Sequence, residues 1–352
     1  MRITAVKTAL PPHYYDQETL LAAFLKNWST QHFNTRRVEQ LHKAVRVGGR
    51  HLALPIETYP KLNDFTTANN HFIRVGTDLG ELAISRALAA AGLTADDVDV
   101  LFFVSVTGVA TPSIDAKLMN RLGFRSDMKR VPIFGLGCVA GAAGLGRVHD
   151  YLVGHPNDVA VLLSVELCSL TLQRQDLSIP NMIASGLFGD GAAAVVAVGD
   201  QHPTAERGLV EVCESRSRFY PDTEGVMGWE IGSDGFKIVL EATVPALAEA
   251  HLADDLDDFL TPLDLTRSQI TQWVCHTGGP KVIAAFQSAL GLKDADLELT
   301  HQSLATVGNL SSASVLFVLA DTLAQRTPDP GSLGVLMAMG PGFCNEMVLL
   351  KW

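Results

Sequence analysis

The sequence predicts an α/β protein made of two duplicated halves that share one core. Three observations carry that prediction. The chain has 352 residues, more than the ~250–300 at which a single core stops growing. Fully apolar runs of strand length alternate with helical stretches rich in small residues, as in buried parallel strands crossed by helices. The same succession of strand, Thr-Gly turn, helix and second turn also occurs twice, at similar spacings.

Taken in order, residues 16–44 mix charged and apolar positions like surface helices, and residues 36–50 carry a basic cluster of Arg36, Arg37, Lys43, Arg46 and Arg50. Residues 76–92 read as an amphipathic helix. Residues 97–106 read as a buried strand, 116–122 as a short helix, and 131–136 as an apolar strand running into Gly137-Cys138. Residues 139–153 form a small-residue helix, followed by strands at 159–165 and 192–198. The charged segment 199–215 separates the halves, giving units 1–210 and 211–352. The repeat aligns Thr94 to Gly108, 14 residues, with Thr266 to Gly278, 12 residues, and brings Cys138 and Asn309 to matching helix starts.

Composition removes several function classes. At 47% apolar and 18% charged residues the chain is not disordered. Lys plus Arg number 27 against 38 Asp plus Glu, a net charge of −11 that disfavours nucleic acid and anionic lipid as partners. An anionic substrate then needs a local basic patch. The five cysteines include no Cys-x-x-Cys pair, so neither a metal site nor a disulfide framework is expected, and a reducing, cytoplasmic setting is. No signal peptide is read at the N-terminus. Residues 300–320 are uncharged but contain Asn309 and serines, which suits a core segment and not a membrane span.

Three residues stand out chemically. Cys138 lies in Gly135-Leu136-Gly137-Cys138-Val139-Ala140-Gly141. Most cysteines are small core residues, but here a strand ends, glycines allow a sharp turn, and a helix begins, where free N–H groups and the helix dipole favour a thiolate. His276 ends a strand before Thr277-Gly278-Gly279-Pro280, placed as a general base. Asn309 in Gly308-Asn309-Leu310-Ser311-Ser312 would ordinarily be an N-cap, but the repeat sets it opposite Cys138. With His276 it could offer N–H donors to a thioester oxygen. Leu187-Phe188-Gly189-Asp190-Gly191-Ala192 and Gly340-Pro341-Gly342-Phe343 are two further Gly-bounded turns.

At these motifs the sequence strongly resembles the type III polyketide synthases, the chalcone-synthase-like branch of the thiolase superfamily, over nearly its whole length. It looks most similar to bacterial members that make alkyl-α-pyrones. The resemblance implies a thiolase-like five-layered αβαβα fold, a cytoplasmic homodimer, and a Cys138–His276–Asn309 centre. Cys138 would accept a starter acyl group from coenzyme A, and His276 and Asn309 would stabilise the enolate left by decarboxylation of malonyl-CoA, with methylmalonyl-CoA as an alternative extender. Phe188 matches a gatekeeper aromatic, and Thr111 a residue reaching into the partner's cavity. Thr171 and Ser311 match cavity-lining positions, and Lys43, Arg46 and Arg50, with Gly278 and Gly279, match the coenzyme A tunnel. Coenzyme A thioesters are substrates, and no cofactor or metal is implied.

Three positions depart from the plant members: Ile238 stands for a second gatekeeper Phe, Trp229 aligns near a Gly, and Thr277 replaces a Pro. They point to an aliphatic starter and a tri- or tetraketide α-pyrone. The alternatives are a resorcinol- or other aromatic-forming synthase, an initiating ketoacyl synthase working on acyl carrier protein, and a catalytically silent acyl-binding homologue.

Overall fold

The structure, a computed structural model, describes residues 1–28 and 34–352. Residues 29–33, within the stretch read as surface helices, lie outside the described residues.

The N-terminal half runs β1 (Arg2–Ala9), β2 (His13–Asp16), α1 (Gln17–Trp28), α2 (Thr35–Ala44), β3 (Gly49–Leu52), α3 (Phe65–Ala91), β4 (Val100–Val104), α4 (Ile114–Leu122), β5 (Lys129–Ile133), α5 (Ala140–Gly154), β6 (Val159–Leu167), α6 (Ile179–Leu187) and β7 (Asp190–Val198). The C-terminal half runs β8 (Val210–Phe219), β9 (Met227–Gly232), β10 (Gly235–Leu240), α7 (Val244–Leu260), β11 (Ile270–Cys275), α8 (Pro280–Leu290), α9 (Glu298–Val307), α10 (Ser314–Gln325), β12 (Leu333–Gly340) and β13 (Cys344–Lys351). Helix α3 begins well before the expected residue 76. Asp64 caps it through the Thr67 N–H at 2.7 Å, and its polar first turns hide the amphipathic pattern.

The duplication is written into the strand order. Nine strands run β5-β4-β6-β7-β1-β8-β13-β12-β11. Read outward from the centre, β1-β7-β6-β4 mirrors β8-β13-β12-β11. The two sets meet only at Arg2↔Glu211 and Ile3↔Val210, so they act as two sheets stitched at one corner. Both copies open with a capping box, at Thr94 and at Thr266.

Side-chain alternation explains the layering, because successive strand residues point to opposite faces. In β4, Val100, Phe102 and Val104 join a central core with α5 and α10, while Leu101 and Phe103 join an outer core with α3 and α4. In β12, Leu336 and Ala338 face the same central core, while Val335, Met337 and Met339 face α7 and α8. The result is helix, sheet, helix pair, sheet, helix: the five layers expected.

One sequence expectation fails here. Cys138 sits in a 3-10 turn, Gly137–Val139, that runs directly into α5. The matching turn before α10 is Ser311–Ala313, so Ser312 occupies the place of Cys138. Asn309 lies three residues earlier, ahead of Ser311, whose left-handed backbone (φ 50) repeats that of Gly137 (φ 60) at the matching place.

The seam between α5 and α10 is tight. A Cβ on Gly141 would lie 2.2 Å from the Ser312 carbonyl oxygen and 2.8 Å from Val315. Gly141→Ala gains up to ~1 kcal/mol of helix propensity but meets backbone that has no room, an overpacking cost of ~1–3 kcal/mol. The expected outcome is a net loss, read as a lower urea midpoint with an unchanged m-value. A midpoint at or above that of the parent chain would show the seam to be slack.

Candidate active site

Strand β5 hands the chain to Gly135 and Gly137, both at positive φ (95 and 60). Gly137 is obligatory for a second reason: a Cβ there would lie 2.6 Å from the ring of Pro341. The Gly340-Pro341-Gly342-Phe343 loop thus packs directly against the cysteine turn. The Cys138 Sγ lies 3.6 Å from the Ser311 Oγ.

His276 directly follows β11. Its N–H donates to the Met337 carbonyl at 3.0 Å, and the Gly278 N–H turns back to its own carbonyl at 3.0 Å. The ring is buried, and its Nδ1 has no partner among the described residues. Asn309 is buried too. Its Oδ1 accepts from the Ser311 N–H at 2.8 Å and the Ser314 Oγ at 3.4 Å, which commits the amide oxygen and leaves the Nδ2 donor for the site.

These three residues line one small cavity of about 60 Å³ with Ser311, Phe188, Trp229, Ile238 and Gly278. Its other walls, among them Met227, Val282, Met339, Pro341 and Phe343, are apolar. A second cavity of about 520 Å³, within the range of ligand sites, lies beyond Phe188, Cys168, Trp229 and Ile238, which face both spaces. Trp229 and Ile238 are cross-strand partners on the β9–β10 hairpin. Gln173 holds that hairpin by donating to the Asp234 and Phe236 carbonyls at 3.0 and 3.1 Å. Thr171 lines the larger cavity, whose wall is mixed: Leu52, Ile56 and Phe65 stand beside Tyr59, Ser169, Gln173 and Asn181.

Burial sets the protonation states. It pushes the Cys138 thiol up to about 11, outweighing the helix start that the sequence suggested would favour a thiolate, and pulls the His276 imidazole down to about 4. Each group alone favours its neutral form, and passing the thiol proton to the ring gives a thiolate paired with an imidazolium. Glu166, at the end of the apolar strand β6, is fully buried and pushed up to about 7 by burial. It accepts from the Thr107 Oγ1 at 2.7 Å, the Val106 N–H at 3.1 Å and the Ser312 hydroxyl, tying the cysteine side of the cavity to the turn before α10. The sequence reading passed over Glu166, although a carboxylate in an otherwise apolar strand was a legible signal.

The remaining expected site residues scatter. Gly279 lies at positive φ (119) capping α8, one residue outside the cavity wall. Thr111 is exposed and lines neither cavity of its own chain. Lys43 and Arg46 are exposed, where a solvated anion can reach them. Arg50 stands apart from them, in the wall of the larger cavity. It is 3% exposed and donates from Nη1 to the Phe188 carbonyl at 2.8 Å, because β3 pairs with β2 and turns its side chain inward. Among the described residues no group of His, Cys, Asp and Glu could hold a metal ion, and no helix is long and apolar enough to cross a membrane.

Comparison with known proteins agrees with this geometry. The family model for the N-terminal domain of chalcone and stilbene synthases matches residues 1–201, and that for the C-terminal domain matches residues 211–352. A 1,3,6,8-tetrahydroxynaphthalene synthase of Streptomyces peucetius subsp. caesius is 54% identical over 99% of this chain and 93% of its own length. A putative chalcone synthase of Bacillus subtilis is 34% identical over 99% of this chain and 98% of its own. The crystal structure of the 1,3,6,8-tetrahydroxynaphthalene synthase from Streptomyces coelicolor, a bacterial type III polyketide synthase, superposes with a TM-score of 0.94 at 31% identity, covering 100% of this chain and 99% of that one. None of these relatives carries the alkylpyrone name that the sequence suggested.

The pairing of thiol and ring is open to test. In His276→Ala the Cys138 thiol must ionise alone, so its alkylation by iodoacetamide at pH 7 is expected to fall by about tenfold or more. The rate should then climb with pH toward about 11. Alkylation of the variant at the parent rate would show that the ring does not serve the thiol.

Proposed function

We propose that this chain, which belongs to the chalcone and stilbene synthase family and is a decarboxylative condensing acyltransferase of the type III polyketide class, primes and extends with malonyl-CoA and releases a polyhydroxylated aromatic. The observation that carries the reading is the convergence of Cys138, His276 and Asn309 on a largely apolar cavity that adjoins a larger, partly polar one.

The Cys138 thiolate attacks the starter thioester carbonyl. A new C–S bond forms, the bond to coenzyme A breaks, and the leaving thiolate takes the proton held by the His276 ring. Malonyl-CoA then loses carbon dioxide, and the electron pair left behind becomes a thioester enolate. Its oxygen is met by the ring N–H of His276 and the Nδ2 of Asn309. Because burial holds the imidazole down at about 4, the ring donates a hydrogen bond without delivering its proton to the carbanion. The enolate carbon attacks the acyl group on Cys138 and expels the thiolate, and one proton taken up from solvent by the His276 ring restores the pair for another round. Decarboxylation supplies the carbanion, so the reading needs no cofactor.

Two features favour an aromatic product over an alkylpyrone. A growing poly-β-ketone carries a carbonyl on every second carbon and suits a partly polar wall, which the 520 Å³ cavity has where Tyr59, Ser169, Thr171 and Gln173 stand hydrogen-bonded within the protein. The relative at 54% identity is named for tetrahydroxynaphthalene, whose skeleton has the carbon count of five two-carbon units.

The test is mass spectrometry of products from malonyl-CoA alone, and from malonyl- or methylmalonyl-CoA with acyl-CoA starters of graded length. A tetrahydroxynaphthalene or its oxidised quinone from malonyl-CoA alone is expected. No turnover without an added fatty acyl-CoA, with pyrones formed when one is supplied, would overturn the reading. The reading also includes a homodimer in which Thr111 faces the partner's cavity. Light scattering should then give twice the 37.8 kDa chain mass, and an active species at the single-chain mass would remove that part.

A further inference from the structure

We infer that Arg50 is a positioning residue for the condensation step, holding the Phe188 backbone so that Asn309 presents its amide to the enolate. Arg50 touches both strands of a small junction. Its Nη1 donates to the Phe188 carbonyl at 2.8 Å. Its side-chain stem fills the room left by two glycines. A Cβ on Gly308 would lie 3.1 Å from the Arg50 Cδ, and a Cβ on Gly189 would lie 3.5 Å from the Arg50 Cβ. Gly189 follows Phe188, and Gly308, held at φ 76, precedes Asn309.

Those two segments are themselves joined. The Asn309 N–H donates to the Leu187 carbonyl at 2.9 Å, and the Gly189 N–H donates to the Asn309 carbonyl at 2.9 Å. Together they form an isolated parallel bridge between Phe188 and Asn309. Any shift of the Phe188 carbonyl is therefore passed to the Asn309 backbone. The Asn309 side chain cannot absorb the shift, because its Oδ1 is already held by Ser311 and Ser314. Amide placement matters chemically, since a donor works only when aimed at the place where negative charge develops.

The chemistry of Arg50 argues against a merely space-filling role. It stays a cation at neutral pH although burial pulls it down to about 10, and the Asp190 carboxylate opposes that fall. Its Nε has no partner among the described residues. A buried cation with an unmatched N–H is a stability cost that an apolar residue of similar length would avoid. Asp190 is fixed independently by the Ala53 N–H at 2.5 Å, the Ser169 N–H at 2.8 Å and the Ser169 hydroxyl. The fixed Asp190 charge favours the cation, whose Nη1 reaches the Phe188 carbonyl at the gate.

The inference rests on Asn309 being the enolate donor, and the experiment separates the two claims. In the full-length enzyme, Arg50→Met, Arg50→Lys and Asn309→Ala are compared by malonyl-CoA decarboxylation, by products from malonyl-CoA, and by iodoacetamide alkylation of Cys138, which does not use the enolate donor. Arg50→Met is expected to lose about tenfold or more in decarboxylation and to shift products toward early-released, shorter chains, with alkylation within about threefold of the parent. Arg50→Lys should recover part of the decarboxylation. Parent-like decarboxylation and products in Arg50→Met overturn the inference, and so does a loss of alkylation in the same proportion as decarboxylation. If Arg50→Met does not fold, Arg50→Lys is read by the same split, with a smaller loss expected and the same two outcomes against. If Asn309→Ala decarboxylates like the parent, the donor reading itself falls and takes the inference with it.

Discussion

Helices α5 and α10 begin in the dry layer between the two sheets, so their free N–H groups must be satisfied without bulk water. In both copies the 3-10 turn and the helix it feeds lack a side-chain cap. The residues just ahead of the turn differ. Before α10, Asn309 accepts from the Ser311 N–H and Ser314 accepts from the Leu310 N–H at 2.7 Å. Before α5 the matching stretch is Gly135-Leu136-Gly137, whose residues carry no such acceptor. The asymmetry of the duplicated halves thus lies in the approach to each helix, which carries the donor amide in one half and leads to the cysteine in the other.

The same dryness decides how the groups can act. A lone thiolate or lone imidazolium is disfavoured there, and a charge-neutral exchange of one proton between them is not. The mostly apolar walls of the smaller cavity favour survival of a carbanion there. Glu166 and Asp190, both fully buried and both pushed up by burial, to about 7 and about 6, frame the site from behind without facing the reacting atoms. Their hydrogen bonds hold backbone: Val106 for the first, Ala53 and Ser169 for the second. Carboxylates here serve as brackets and not as acid–base catalysts.

Much of this was legible before any coordinates. Strands β4, β6 and β7 announce themselves because they are buried on both faces and so are written in unbroken apolar residues. Cys138 was legible because a strand, two glycines and a helix surround it. What escaped depended on non-local geometry. The offset between Asn309 and Cys138 shows only once the helix starts are fixed, when Ser311 takes the place of Gly137 and Ser312 that of Cys138. Arg50 reads as one of a basic cluster, since pairing of its short strand with β2, not local sequence, turns it inward. Glu166 fell just past the end of the strand as read. The character of the large cavity is set by Tyr59, Gln173 and Trp229, residues far apart in sequence whose meeting only the fold decides.

The central strand β1 has its two neighbours, β7 and β8, on the far side of the whole first copy. During synthesis its apolar residues Ile3, Ala5, Val6 and Ala9 wait without a sheet to join until β7 has left the ribosome. The first sheet is then completed by its earliest segment, and the second sheet grows outward from that segment's edge. Productive folding of this enzyme therefore depends on keeping one short strand unattached through more than half of translation, a long interval in which misassembly competes.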